Sequence, residues 1–300
     1  MMFTIDDIKC CAATHTGRVR TDNEDRYICR TVIDDHHVLL AAIDGCGGMA
    51  GGSRAASIAE DVTVSFLIRV RESYNHILCD AMTYANNYIY EERMGPGRYS
   101  NMGCVMSGVL VDTRTLQAEV VHLGDTRVYR IDADGMTQLT VDHSPVGEMV
   151  RGGILNEFQA RMHPMKHMVS RVMGHGPLHG FDGNYFDTRQ LQLEGGTTLL
   201  VCSDGLTDML SSREIHDIIN DGTFYGAADR LVDAANRAGG KDNVTAVLLQ
   251  VPQAAGPLID QPDGATSDRD RRTELDKADG FDPAEKNIFK KILKMFKGRT

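Results

Sequence analysis

Between residues 36 and 131 the chain runs through one short apolar stretch, two consecutive helix-like stretches and three strand-like runs. This order constrains the fold more than any single motif does. HHVLLAAI (36–43) reads as a buried strand, being apolar but too short for a helix. Residues 51–71 and 73–94 read as helices, the second ended by Gly95-Pro96-Gly97. Residues 103–111, 116–123 and 127–131 then alternate or run apolar, and Asp134-Gly135 makes a hairpin turn. The strand pattern returns at 188–193 and 197–202 across Gly195-Gly196. Helix-like stretches at 211–220 and 225–238 follow, and a closing strand spans 243–251. Strands in hairpins and helices in adjacent pairs do not make the strict βαβ alternation of a doubly wound sheet; antiparallel sheets covered by helix pairs fit better.

Composition narrows the function classes. The 300 residues are 42% hydrophobic, enough for a full globular core, and no internal repeat is present. With 42 acidic against 32 basic residues, the formal charge of −10 argues against a nucleic-acid partner. No apolar run approaches the roughly 18 residues of a membrane-spanning helix. The start, MMFTIDDIKCC, lacks the basic and then apolar layout of a signal peptide. Seven scattered cysteines without a C-x-x-C pair suit free thiols in a reducing compartment. The expectation is a cytoplasmic protein.

The stretch AAIDGCGGMAGGSRAA (41–56) has two incompatible readings. Gly45, Gly47 and Ala50 have the G-x-G-x-x-A spacing of a dinucleotide-binding loop. That motif needs a second parallel strand after its helix and an acid about 20 positions on, yet here a helix follows a helix, so the context fails. The alternative is that the glycines present Asp44. Glu24 in RTDNED, Asp125 in LGDTR, Asp204 in CSDGLTD and Asp242 in GKDN also sit at strand ends or in tight turns. Taken singly, each reads as a helix cap or an Asx turn, as Asp204 does before GLTDML. Gathered at one point, such carboxylates, with a carbonyl such as that of Gly45, would hold a hard dication, Mg2+ or Mn2+. Spacing alone does not gather them.

In order along the chain, TGRVRTDNED (16–25), AAIDGCGG (41–48), VHLGDTRVYR (121–130), LTVDHS (139–144), LVCSDGLTD (200–208) and GGKDNVTAVLL (239–249) resemble the motifs of the metal-dependent protein phosphatases of type 2C. The resemblance covers residues 8–251 and is similar to bacterial members. It implies a four-layer αββα sandwich, two antiparallel sheets flanked by helix pairs, with a phosphatase domain over residues 1–251. It also implies a serine/threonine phosphatase with two Mn2+ or Mg2+ ions, or three. Asp44 would bridge two ions, with Glu24 and the Gly45 carbonyl on one and Asp204 and Asp242 on the other. Asp125 and Asp208 match the positions for a weaker third ion. Arg20 matches the arginine that binds substrate phosphate, and Asp25 an outer partner of metal-bound water.

Two nearby dications lower the pKa of a shared water, giving a hydroxide that attacks phosphorus in line. A guanidinium such as Arg20 can grip two phosphate oxygens. The substrates implied are phosphoserine and phosphothreonine proteins, the products of a Ser/Thr kinase. Two rival readings are a partner-switching phosphatase for one dedicated phosphoserine, a branch that usually lacks the arginine, and a catalytically weak phosphoprotein-binding relative. The chain departs from the family pattern at Cys46, where eukaryotic members carry histidine, at Thr126 for serine, and at Cys104 for threonine. His163/His167 and His175/His179 have the i, i+4 spacing of a zinc pair, but Pro164 and the nearby glycines argue against helix there. In similar enzymes this segment is the flap beside the active site.

The tail is read from its residues alone. Residues 252–282 are acidic and rich in Pro, Gly and Ala, which predicts a disordered linker. Residues 283–300 predict a basic amphipathic helix, capped by Asp282, with Ile288, Phe289, Ile292, Leu293 and Phe296 on one face and lysines on the other. Such a helix packs on the body, docks in a partner's groove, or lies peripherally on the inner face of the membrane.

Overall fold

The computed structural model describes residues 1–47, 51–71, 73–96, 99–179 and 185–253. Nearly all of the expected linker, and the whole of the expected tail helix, lie outside the described residues.

Eleven strands are present among the described residues: β1 (Met2–Ile5), β2 (Ile8–His15), β3 (Arg26–Thr31), β4 (His37–Cys46), β5 (Gly103–Asp112), β6 (Gln117–Leu123), β7 (Arg127–Asp132), β8 (Gly135–Gln138), β9 (Asp187–Gln192), β10 (Thr198–Cys202) and β11 (Val244–Gln250). The helices are α1 (Gly51–Leu67), α2 (Ile77–Met94), α3 (Pro145–Arg151), α4 (Glu157–Arg161), α5 (Asp204–Thr207), α6 (Ser212–Asn220) and α7 (Ala227–Arg237). The strands form two sheets, in the orders β1-β2-β11-β10-β7-β8 and β3-β4-β5-β6-β9. Every pairing is antiparallel.

Period-two alternation explains the layers. Cys10, Leu199, Val201, Val247 and Leu249 join Val38, Leu40, Ala42, Val109 and Val120 in the core between the sheets. Their neighbours Cys11, Leu200, Cys202, Ala246 and Leu248 face the other way, onto Leu231, Ile215 and Ala235 of α6 and α7. On the opposite side α1 and α2 pack on each other and on β4 and β5. The result is the four-layer αββα sandwich. Burying each Leu or Val fully is worth about 1.5–3 kcal/mol, so strand positions at the core are firmly set.

Two local expectations change. The strands on either side of Gly195-Gly196 are not partners: β9 pairs with β6 and β10 with β7 and β11, so the turn crosses between sheets. Asp204 does not cap a helix; Ser203 is the N-cap and Asp204 the first residue of α5.

Candidate metal centre and active site

Register brings the acidic loops to one end of the sandwich. His15 stands opposite Val244, Arg127 opposite Cys202, Gly103 opposite Cys46 and Arg26 opposite Ile43. Glu24 and Asp25 precede β3, Asp44 and Gly45 lie near the end of β4, and Asp125 sits between β6 and β7. Asp204 and Asp208 follow β10, and Asp242 precedes β11. Arg20, Glu24, Asp44, Gly45, Asp125, Asp204, Asp208 and Asp242 all line one cleft of about 590 Å3. Residues up to 222 positions apart in sequence meet there, as in the 2.8 Å ion pair of Arg20 Nη2 with Asp242 Oδ2.

Asp25, the remaining expected site residue, lies buried beside the cleft. Its Oδ2 accepts hydrogen bonds from Ser203 Oγ and Thr245 Oγ1, both at 2.7 Å. The Ser203 hydroxyl thus serves Asp25 and makes no hydrogen bond to its own helix. Burial pushes the Asp25 carboxyl up to about 7, against the lowering effect of those two hydroxyls.

The glycines of the opening stretch have a steric role. A Cβ on Gly52, in the first turn of α1, would stand 2.7 Å from both Glu24 Oε1 and the Gly45 carbonyl oxygen. Any side chain there would push into the two oxygens, so glycine keeps them side by side. Gly124 has φ +105, a backbone region that L residues with a Cβ rarely enter, and it turns the chain from β6 into Asp125.

These residues fit a cation. Burial first, then the neighbouring acids, raises the carboxyls of Asp44, Asp125 and Asp204 above the ordinary value. Asp204 Oδ1 is buried with no hydrogen-bond partner. Clustered oxygen donors at mutual cost, with a lone pair left over, are what a hard dication relieves.

A family model described as "Protein phosphatase 2C" matches residues 14–248. The chain belongs to the protein phosphatase 2C family. Protein phosphatase PhpP of Streptococcus pneumoniae is 32% identical over 248 residues, covering 79% of this chain and 95% of that one. Serine/threonine phosphatase stp of Listeria innocua is 31% identical over 246 residues, covering 79% and 93%. Among solved structures, the catalytic domain of the phosphatase PstP in complex with two manganese ions is similar with a TM-score of 0.70 at 25% identity, covering 82% of this chain and 98% of that one. As a type 2C member, the chain is a metal-dependent protein phosphatase.

Further side chains at this end of the phosphatase 2C fold support the site. Asp142 and His143 of LTVDHS lock onto the GDTR turn. Arg127 donates to Asp142 through Nε at 2.9 Å and Nη2 at 2.7 Å. The His143 ring accepts from the Gly124 N–H at 3.1 Å, while the Gly124 carbonyl accepts from the His143 N–H at 2.7 Å. From the flap, Lys166 Nζ pairs with Asp208 Oδ2 at 2.6 Å and His167 Nδ1 lies 3.9 Å from Asp204 Oδ2. As Pro164 and the nearby glycines imply, no helix spans 163–179, and His167 clusters with Asp204 and Asp208.

Among the described residues no helix is long and apolar enough to cross a membrane.

Proposed function

We propose that the chain hydrolyses phosphoserine and phosphothreonine in proteins, with Asp44, Glu24, the Gly45 carbonyl, Asp204 and Asp242 as the residues that would hold two dications. Asp125 and Asp208 would serve a weaker third position. The observation that carries this reading is the meeting of six carboxylates and Arg20 in one cleft. When bound, the ions activate water and neutralise phosphate charge. Mn2+ and Mg2+ both suit this oxygen donor set.

The chain's own residues do the rest. Arg20 is half exposed at the cleft and held by Asp242 through a single nitrogen, which leaves further N–H donors for phosphate oxygens. Asp25 accepts through one oxygen and keeps Oδ1 unpartnered, which suits an outer partner of metal-bound water. Cys46 lines the cleft, but burial beside Asp44, Asp125 and Glu24 pushes its thiol up to about 12. A thiol raised in this way is not a thiolate nucleophile.

The test is hydrolysis of a phosphothreonine peptide with Mn2+, with Mg2+ and with chelator. Chelator abolishes turnover, and Arg20→Ala raises KM and lowers kcat/KM while Mn2+ affinity stays largely intact. Turnover that persists in chelator removes the assignment. A collapse of Mn2+ binding in Arg20→Ala assigns that side chain to holding Asp242 instead.

We further propose that residues 283–300 tether the phosphatase to an anionic membrane surface near membrane-bound phosphoproteins. Six basic residues against one acid, opposite an apolar stripe, support this, since the chain as a whole is acidic. Full-length protein floats with anionic liposomes, and a chain ending at Ala255 does not. Failure of both to float overturns the tether, and a truncated chain that melts lower assigns the helix to packing on the body.

A further inference from the structure

We infer that Asp187 is a positioning residue for the cleft: it keeps the ring proton of His143 on Nε2, so that Nδ1 accepts from Gly124 and Asp125 is held in place. The inference rests on the proposed assignment of Asp125 to a metal.

Asp125 is pinned on both sides. Before it, Gly124 exchanges both of its backbone groups with His143. The Gly124 N–H donates to the ring Nδ1 at 3.1 Å, and its carbonyl accepts from the His143 N–H at 2.7 Å. After it, the Thr126 hydroxyl donates to Ser107 Oγ at 2.8 Å, and that hydroxyl donates to His122 Nδ1 at 2.8 Å. His122 Nε2 then donates to the Val141 carbonyl at 2.9 Å, which fixes the direction of the chain. The two histidine rings lie 4.6 Å apart.

A neutral imidazole offers one donor and one acceptor, and the partner of one nitrogen decides the state of the other. Nδ1 of His143 faces a donor, the Gly124 N–H. Nε2 faces both kinds of group, with Asp187 Oδ2 at 3.2 Å and Arg171 Nη1 at 3.1 Å. Asp187 settles the choice. Its Oδ1 accepts from Arg171 Nη1 at 3.0 Å, and the other hydrogen of that nitrogen reaches the Tyr185 carbonyl at 3.4 Å. Oδ2 is left for the proton on Nε2.

Without Asp187, both ring nitrogens would face donors. The guanidinium is charged and donates more strongly than an amide N–H, so Nε2 becomes the acceptor and the proton moves to Nδ1. Two donors then meet head to head at Gly124. The His143 side chain is only 5% exposed, and a buried N–H without a partner is costly, so Gly124 shifts and carries Asp125 with it. Asp187 itself stands opposite His122 in the β6–β9 register and is 51% exposed, so replacing it leaves the core closed.

The experiment compares the wild-type full chain with Asp187→Ala, Asp187→Asn and Asp187→Ala/Arg171→Met. Long-range 1H–15N correlation of the His143 ring without metal reads which nitrogen carries the proton, and calorimetry reads Mn2+ binding. The wild type holds the proton on Nε2. In Asp187→Ala it is on Nδ1, and the weakest Mn2+ step loosens at least about tenfold, the ratio that about 1.4 kcal/mol carries, while the tight steps do not move. Asp187→Asn removes the same charge but keeps an oxygen for Nε2, so the tautomer and the weak step stay as in the wild type. The double variant removes the competing donor as well, and the Gly124 N–H restores both. An Asp187→Asn chain that binds as poorly as Asp187→Ala makes the effect one of charge and overturns the inference. A proton that stays on Nε2 in Asp187→Ala, or a weak step unchanged when the proton moves, overturns it too. A wild type with no weak step overturns the metal assignment of Asp125, and the inference with it, even where the proton moves as expected.

Discussion

Replacing Asp44 or Asp204 by asparagine lowers p-nitrophenyl phosphate turnover with Mn2+ by at least about 100-fold, or about 2.7 kcal/mol of barrier. Each change keeps the shape of the side chain and removes one anionic donor from the proposed centre. Loss of fold does not account for the effect, because these carboxyls cost the folded chain stability. The Asp44 carboxyl is raised well above 3.8, by burial first and then by Asp25, Asp204, Asp125 and Asp242. A folded-state pKa above the unfolded one gives stability that is present below 3.8 and lost as pH rises through the raised value. At neutral pH, Asp44→Asn therefore removes a repulsion, and the metal-free variant melts no lower than the wild type. Its gain in melting temperature on adding Mn2+ shrinks, since stabilisation follows binding to the folded state. Near-wild-type turnover in both variants would falsify the two-metal assignment.

The sequence makes some parts of this molecule plain and hides others for identifiable reasons. The strand at His37–Cys46 is legible because it is buried on both faces and so reads as an unbroken apolar run. The strand Met2–Ile5 at the sheet edge was not read, because its residues are exposed or half-buried and short. The strands flanking Gly195-Gly196 were read as elements, but periodicity does not say which sheet each joins; register against β6, β7 and β11 does. The site divides in the same way. Asp44 and Gly45 are marked locally, by a strand end followed by glycine. That they meet Asp204 and Asp242 is fixed by antiparallel pairing across the whole chain, which spacing cannot show. The family resemblance implies that meeting. The partners of Arg127, His143 and Lys166 were not legible, because each contact depends on where a loop side chain is aimed.

The Arg127–Asp142 pair is the second large effect. Replacing Arg127 by methionine destabilises the body by about 3 kcal/mol, because it leaves a mostly buried carboxylate without its cation. Asp142 is 12% exposed at its side chain and accepts from both Nε and Nη2 of Arg127, with Gln138 Nε2 a weaker donor at 3.3 Å. For a body of this size the melting temperature falls by about 6–12 °C, at roughly 2–4 °C per kcal/mol. The double variant Arg127→Met/Asp142→Leu recovers part of that loss, because removing both leaves no unpaired charge, although the Tyr129 hydroxyl loses its long Arg127 Nη1 contact. Turnover does not recover with it. Arg127 is the cation that lowers the Asp125 carboxyl against the pull of burial, Asp204 and Asp142, so its loss raises Asp125 and weakens Mn2+ binding there. Chemical denaturation of the two single variants, the double variant and the wild type closes the cycle. A double variant no more stable than Arg127→Met would show that shape at this turn, and not the charge pair, holds Gly124 and Asp125 in place.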